Sequence, residues 1–383
     1  MKLLVIGAGM MGSAAAYDMA RSGGVASVTL ADVDPKRVKA AVQRINKLAG
    51  NKKVKAARVD ASKPAQAGRL MRGHNGVLSA VPYFYNLDLC KAAIAAGCHF
   101  ADLGGNNTVV RQELALAARA AKKGVGIAPD CGLSPGLASV LAGELMRRVG
   151  GYADALKIYV GGLPENPKPP FHYQLVFSVE GLINEYVEPA KVLRGGKIVE
   201  IEPLTEPEDF HLPGFDTMVA FQTSGGTSTL PETFQGKVGE CFEKTLRYPN
   251  HLPVIRGLYD YGFFSRKKIK VGKVEISPRA FTSQMFLNKL SGNEPDVTIM
   301  RVEALAKHKF ASFTLLDRFD RATGLTSMMR TTAWPASIVL QMLCAGEIKK
   351  RGGIYQEIDV PAHAFVSELN VRGIRIEYEE RAR

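Results

Sequence analysis

Residues 7–12 read Gly-Ala-Gly-Met-Met-Gly, a GxGxxG placed between the apolar run Lys2–Ile6 and a stretch of helix-forming residues. A strand that turns on this loop into a helix is the opening of a dinucleotide-binding βαβ unit. Gly7 permits the tight turn, Gly9 lets a pyrophosphate approach the backbone, and Gly12 lets helix and strand pack closely. Met10 and Met11 open the helix, whose N-terminal N–H groups and positive dipole end face the phosphates. Asp32 lies twenty residues past Gly12, at the end of a second apolar run. A carboxylate there accepts hydrogen bonds from the adenosine ribose hydroxyls and repels a 2′-phosphate, which favours NAD over NADP. The plainer alternative is that Asp32 caps a turn, and Arg37 keeps NADP open.

Alternation of short strands with helices continues to about residue 128. The pattern predicts strands at 2–6, 27–31, 54–59, 76–80, 100–103 and 124–127, with helices at 11–22, 35–48, 87–96 and 112–122. That order means an α/β N-terminal Rossmann domain with a doubly wound parallel sheet, over residues 1–135. Asp60 and Ala61 close the third strand, where adenine commonly rests. Ala80, Val81 and Pro82 follow the fourth, at the lip that holds the nicotinamide ribose. A helix is expected to start near Pro135, with Ser134 as its cap. From residue 156 strand-like segments dominate (156–161, 197–202, 219–222, 270–277), predicting an α+β substrate domain over 136–332 with an open, mainly antiparallel sheet. A late helix at 333–345, with Pro335 in its first turn, is expected to pack with the tail on the nucleotide domain.

Composition narrows the function classes. The chain of 383 residues carries 50 basic and 37 acidic side chains, a formal charge of +13. Much of this excess sits in two runs, Lys36 to Arg58 and Arg266 to Lys273. Without stacking aromatics or a nucleic-acid module these read as solvated faces, and no nucleic-acid partner is expected. Five cysteines with no CxxC pair fit a reducing, cytoplasmic protein, and no metal is expected. The apolar N-terminus resembles a signal peptide, but cleavage would destroy the glycine loop. No other apolar run reaches the ~18 residues of a membrane span, so no membrane partner is expected.

Several stretches carry a likeness. Residues 1 to about 355 resemble the saccharopine dehydrogenase-like family, and within it the lysine 6-dehydrogenases. The likeness lies in the glycine loop, in 101–105 (ADLGG), 129–136 (PDCGLSPG), 170–173 (PFHY), 177–182 (FSVEGL), 223–231 (TSGGTSTLP) and 244–249 (KTLRYP). It implies NAD-linked oxidation of the ε-amine of free L-lysine to allysine, which cyclises to piperideine-6-carboxylate as ammonia leaves. It also implies a homo-oligomer with a small amino-acid substrate. Rival readings are a saccharopine- or carboxyspermidine-type secondary-amine dehydrogenase and a non-catalytic NAD-sensing protein.

The same residues have a direct chemical reading. Asp102 ends a strand before two glycines, at the sheet edge where α/β ligands bind. It either orients an ammonium and takes its proton or tethers the glycine turn. Cys131, a lone cysteine beside glycine, reads as packing. His172 and Tyr173 follow a proline-rich loop and are acid–base candidates, or else aromatic packing at a junction. Thr227 and Ser228 lie in a glycine- and hydroxyl-rich loop suited to a small polar ligand, or in an ordinary turn. Arg247 sits among apolar neighbours, with Thr245 close by in the same stretch. Its planar fork suits a substrate carboxylate, the alternative being an interface ion pair.

Overall fold

Strand β1 (Lys2–Ile6) is wholly buried from Leu3 onward, because it runs parallel to a neighbour on each side with helices over its faces. In a computed structural model, which describes residues 1–292 and 294–383, it is the centre of the first of two units. That unit comprises Met1–Arg147, Arg321–Leu325 and Met329–Arg375. Its further elements are α1 (Met10–Arg21), β2 (Ser27–Asp32), α2 (Pro35–Ala49), β3 (Val54–Arg58), α3 (Pro64–Met71), β4 (Gly76–Ser79), α4 (Asn86–Ala96), β5 (His99–Asp102), α5 (Asn107–Leu114), α6 (Ala117–Lys122), β6 (Gly126–Ala128) and α7 (Leu137–Arg148). A short strand at Gly352–Gly353 completes a parallel sheet ordered Gly352–Gly353, β6, β5, β4, β1, β2, β3.

The caps explain several boundaries. Asp34 accepts hydrogen bonds from the N–H groups of Lys36 and Arg37, Pro35 opens α2, and left-handed Gly50 ends it. The basic residues Lys36, Arg37, Lys39, Arg44 and Lys47 stand on its exposed face. The segment expected as one helix at 112–122 is two: Asn106 caps α5 early, and the chain turns at Ala115–Leu116 so that Leu116 and Ala120 both meet the core. Ser134 and Pro135 precede α7 instead of capping it, and the peptide between them is cis. The late helix runs Ser327–Ala345 with Pro335 inside it, not in its first turn. It starts earlier because the Asp296 carboxylate accepts from the N–H groups of Ser327 and Met328 at 2.6 and 2.9 Å. Within the first unit the buried Asp18 of α1 is bound by Arg372 Nε at 2.6 Å and Ser337 Oγ at 2.7 Å, tying the 329–375 segment to the glycine-loop helix.

The second unit spans Arg148–Asp320, Thr326–Met328 and Ile376–Arg383. Its elements are β7 (Ala153–Pro164), α8 (Val179–Val187), β8 (Ala190–Arg194), β9 (Lys197–Ile201), β10 (Glu208–Phe210), β11 (Met218–Gln222), α9 (Leu230–Phe234), β12 (Val238–Arg247), α10 (His251–Asp260), β13 (Ile269–Val271), β14 (Val274–Ile276), α11 (Pro278–Leu290), β15 (Asp296–Ala306) and β16 (Lys309–Arg318). A nine-stranded sheet runs β10, β11, β12, β7, β15, β16 and the strand Ile376–Ala382, with β8 on β12 and β9 on β8. Every pairing is antiparallel except β12 with β7. The stretch read as a strand at 270–277 is the β13–β14 hairpin, turned at left-handed Gly272.

Candidate functional site

In the first unit the glycine loop separates its roles residue by residue. A Cβ on Gly7 would stand 2.4 Å from the Ala80 carbonyl oxygen, and one on Gly12 would stand 1.8 Å from that of Gly7. Both positions require glycine for packing. A Cβ on Gly9 would meet nothing within 4 Å, so the space beside the first turn of α1 is open. Met10 is 46% exposed there, and Met11 is half-buried. An open cradle of backbone N–H groups at a helix N-terminus fits a pyrophosphate.

Asp32 is buried at the end of β2. Its two oxygens accept from Ala8 N at 2.7 Å and Asp34 N at 3.0 Å. It therefore fixes the glycine loop, and each oxygen keeps a lone pair to spare. Asp60 is tied to Ser62 by two hydrogen bonds, which hold its carboxyl below the usual range. Ala61 and Val81 are half-buried against the core, Ala80 lies beside Gly7, and Pro82 is exposed.

Asp102 ends β5 with no exposure. Its Oδ1 accepts from Gly104 N at 2.6 Å and Asp130 N at 3.2 Å, so it joins the loops after β5 and β6. Glu113 of α5 is buried beside it, and no cation among the described residues counters the pair. Two such carboxyls cannot both ionise in a dry site. Burial, then the charges of Asp102 and Asp130, push Glu113 up to about 11, so Glu113 keeps the proton and donates it to Asp102. Burial also raises the Cys131 thiol, which makes it a poor nucleophile.

The second unit gathers a buried polar cluster at the end of β12, where Glu243, Thr245 and Arg247 alternate onto one face. Arg247 is 3% exposed, with its guanidinium carbon 4.8 Å from the Tyr173 ring centroid. Its Nε donates to the Tyr186 hydroxyl at 3.3 Å, and one terminal nitrogen donates to the Leu246 carbonyl at 2.9 Å. The other terminal nitrogen stands 3.8 Å from Glu185. Tyr186 continues to His251 Nε2 at 3.0 Å, while His251 Nδ1 lies 2.8 Å from the Phe171 carbonyl. A nitrogen facing a carbonyl must donate, so Nε2 accepts and the ring is neutral; burial and then Arg247 lower it to about 3.

Two carboxyls complete the cluster. Glu185 on α8 keeps 31% of its side chain exposed; burial pushes it upward and the Arg247 charge beside it pulls it back. Glu243 is 3% exposed, and its oxygens meet the hydroxyls of Thr223 at 3.2 Å and Thr245 at 3.5 Å. Burial, and next the neighbouring Glu185, push it up to about 8. The unit's other buried cations are engaged. Arg279 is held by Glu180 at 2.8 Å and by Asn184, and Lys244 by the Glu206 carbonyl and Glu208.

The structure thus brings Tyr173, Thr245 and Arg247 together. The Tyr173 hydroxyl is buried and makes no hydrogen bond of normal geometry. His172, in left-handed conformation, is next to Tyr173 in the chain, and its Nδ1 is buried without a partner. Thr227 donates to the Lys191 carbonyl at 2.8 Å, and left-handed Ser228 is bonded through its N–H to the Gly225 carbonyl, so both shape the loop. Glu185, Glu243, Tyr186 and His251 are members that sequence reasoning missed. Among the described residues no group of three or more His, Cys, Asp or Glu side chains is placed to hold a metal ion, and no helix is long and apolar enough to cross a membrane.

Comparisons with known proteins place this geometry in a family context. Residues 3–127 match the saccharopine dehydrogenase NADP binding domain, and residues 132–374 match the saccharopine dehydrogenase C-terminal domain, which extends the likeness past residue 355. The saccharopine dehydrogenase [NADP(+), L-glutamate-forming] of Schizosaccharomyces pombe is 28% identical over 236 residues, 59% of this chain and 50% of that protein. The match therefore spans about half of that relative's length. The corresponding Saccharomyces cerevisiae protein is 24% identical over 81% of this chain and 69% of its own. Among solved structures, apo saccharopine dehydrogenase (L-Glu forming) from S. cerevisiae superposes with a TM-score of 0.77 at 20% identity over the whole of both chains. A homospermidine synthase from Legionella pneumophila in complex with NAD gives 0.69 at 12% identity, covering 99% of this chain and 91% of its own.

Proposed function

Because this chain belongs to the saccharopine dehydrogenase family, we propose that it is a nicotinamide-dinucleotide-dependent amine dehydrogenase that oxidises the ε-amine of free L-lysine with NAD. One observation carries the choice of substrate. In the second unit the buried guanidinium of Arg247 makes two hydrogen bonds to the protein and has its nearest carboxylate, Glu185, at 3.8 Å, with Glu243 as a second acid within its field. A guanidinium fork pairs with one α-carboxylate, and carboxyls pair with ammonium groups. Lysine carries one carboxylate and two amines. Saccharopine brings further carboxylates, and the remaining buried cations, Arg279 and Lys244, are already engaged.

A nicotinamide dinucleotide held by the Gly7–Gly12 loop and Asp32 would supply the hydride acceptor for the amine-bearing carbon. The imine left behind adds water and releases ammonia, so lysine, NAD and water give allysine, NADH and ammonium with one proton released. Arg247 holds the substrate carboxylate, and Tyr173 packs over the guanidinium and keeps water from it. In the first unit Asp102 fixes the loops after β5 and β6, with its charge steadied by the proton on Glu113. The relatives' names favour a second reading, a secondary-amine dehydrogenase of the saccharopine type. An initial-rate screen of lysine, ornithine, diamines and saccharopine with NAD and NADP separates the two, and a non-catalytic NAD-binding protein would give no NADH with any of them.

Preference for NAD rests on Asp32. The Asp32→Ala variant is expected to raise the ratio of NADP to NAD turnover. It should also weaken both cofactors, because Ala8 N loses its acceptor. Equal use of the two cofactors by the unaltered protein, measured as kcat/KM, would remove this assignment.

A further inference from the structure

The cluster around Arg247 holds one acid more than its cations balance. Glu243 projects from β12 on the same face as Arg247, at 3% exposure. Its hydrogen-bond partners are neutral hydroxyls, those of Thr223 after β11 and Thr245 on its own strand. A Cβ on Gly226 would lie 2.5 Å from its carboxyl, so the hydroxyl-rich loop closes over it. From α8 the charged group facing it is Glu185, a second acid. Arg247 is turned to Tyr186, the Leu246 carbonyl and Glu185; its charge pulls the Glu243 carboxyl down, but by less than burial and Glu185 push it up. Lys244 belongs to the opposite face of the strand and is held by Glu206 and Glu208. A buried carboxyl without its own cation stays neutral until a cation reaches it. A threonine hydroxyl both donates and accepts, so the Thr223–Thr245 pair, 2.7 Å apart, serves either state of Glu243.

We propose that Glu243 is the specificity residue for the α-ammonium group of the substrate, protonated in the empty site and ionised when an α-amino acid binds, so that binding expels a proton. Resting on the reading of Arg247 as the α-carboxylate anchor, this extends it by naming what the neighbouring acid recognises. Proton balance is simple: the carboxyl O–H bond breaks, the proton passes to solvent, and the carboxylate pairs with an ammonium that keeps its own protons. The consequence is selectivity for a complete α-amino acid head over a ligand with a carboxylate and a distant amine alone.

The empty-site value of about 8 sets the window. Below that value the empty-site carboxyl holds its proton and above it the proton is lost, so proton release on binding is larger at pH 7 and fades toward pH 9. The test is calorimetric titration of L-lysine into the protein saturated with NADH, a complex in which lysine cannot be oxidised. Enthalpies in phosphate and Tris at one pH give the proton count. The unaltered protein is expected to release nearly one more proton than Glu243→Gln at pH 7, a difference lost at pH 9. With 6-aminohexanoate, which lacks the α-amine, the two proteins should give the same count. An equal count from both proteins with lysine would overturn the proposal, because the proton then comes from the amine or another group. Where Glu243→Gln does not fold, Glu243→Asp and the pH dependence of the unaltered protein decide, and no release at pH 7 overturns it. Lysine oxidation with no Glu243-dependent proton would sink this inference and leave the proposed function standing. Failure to bind lysine at all would sink both.

Discussion

Arg247→Ala is expected to lower kcat/KM for lysine by on the order of a hundredfold or more, with NADH affinity nearly unchanged. Truncating one member of a buried charged arrangement costs about 3–5 kcal/mol. Here the loss falls on the substrate carboxylate, because the protein's own claims on the guanidinium are two hydrogen bonds and a long 3.8 Å pairing with Glu185. Arg247→Lys is the companion variant: it keeps a charge but loses the two-pronged fork, so most of the activity should still be lost. Steady-state kinetics, a dinucleotide titration and a thermal melt separate the outcomes. A lower melting temperature with unchanged KM for lysine would make Arg247 a structural residue.

The glycine loop gives the second large effect, through a contrast of two variants. Gly12→Ala places a methyl 1.8 Å from the Gly7 carbonyl oxygen, where only backbone movement could relieve it. Loss of dinucleotide binding is expected together with a less stable first unit. Gly9→Ala places the same methyl in open space, at φ −74°, which alanine adopts freely. That variant should melt like the unaltered protein yet bind NADH at least about tenfold more weakly, because the methyl fills the pyrophosphate cradle. Fluorescence titration with NADH checks both. Unweakened NADH binding by Gly9→Ala would mean that the pyrophosphate does not approach the loop there.

The first unit was legible because its physics is local. Strands buried on both faces read as apolar runs, and the glycine spacing follows from the turn it must make. The broken helix at Ala115–Leu116 and the interior Pro335 were not, since tertiary contacts decide both. The second unit was harder for a reason tied to its role. Strand β12 buries Glu243, Lys244 and Arg247, so it carries charges where a core strand would carry apolar residues, and its sequence reads as surface. The one available signal was period two: Glu243, Thr245 and Arg247 fall on a single face. Glu185 gave no local signal, because its meeting with Arg247 depends on how α8 packs in the unit. Asp102 shows the converse. Its place at the sheet edge was legible, while its burial and its bonds to two loops, together with the proton on Glu113, depended on contacts from α5 and the β6 loop.

Oxidation of free lysine at its ε-amine is decided by incubating L-lysine with the protein and NAD and identifying the product. NADH should form in step with piperideine-6-carboxylate and ammonia. An α-keto acid product would move the chemistry to the α-amine, and NADH from saccharopine with none from lysine would make the protein a secondary-amine dehydrogenase instead.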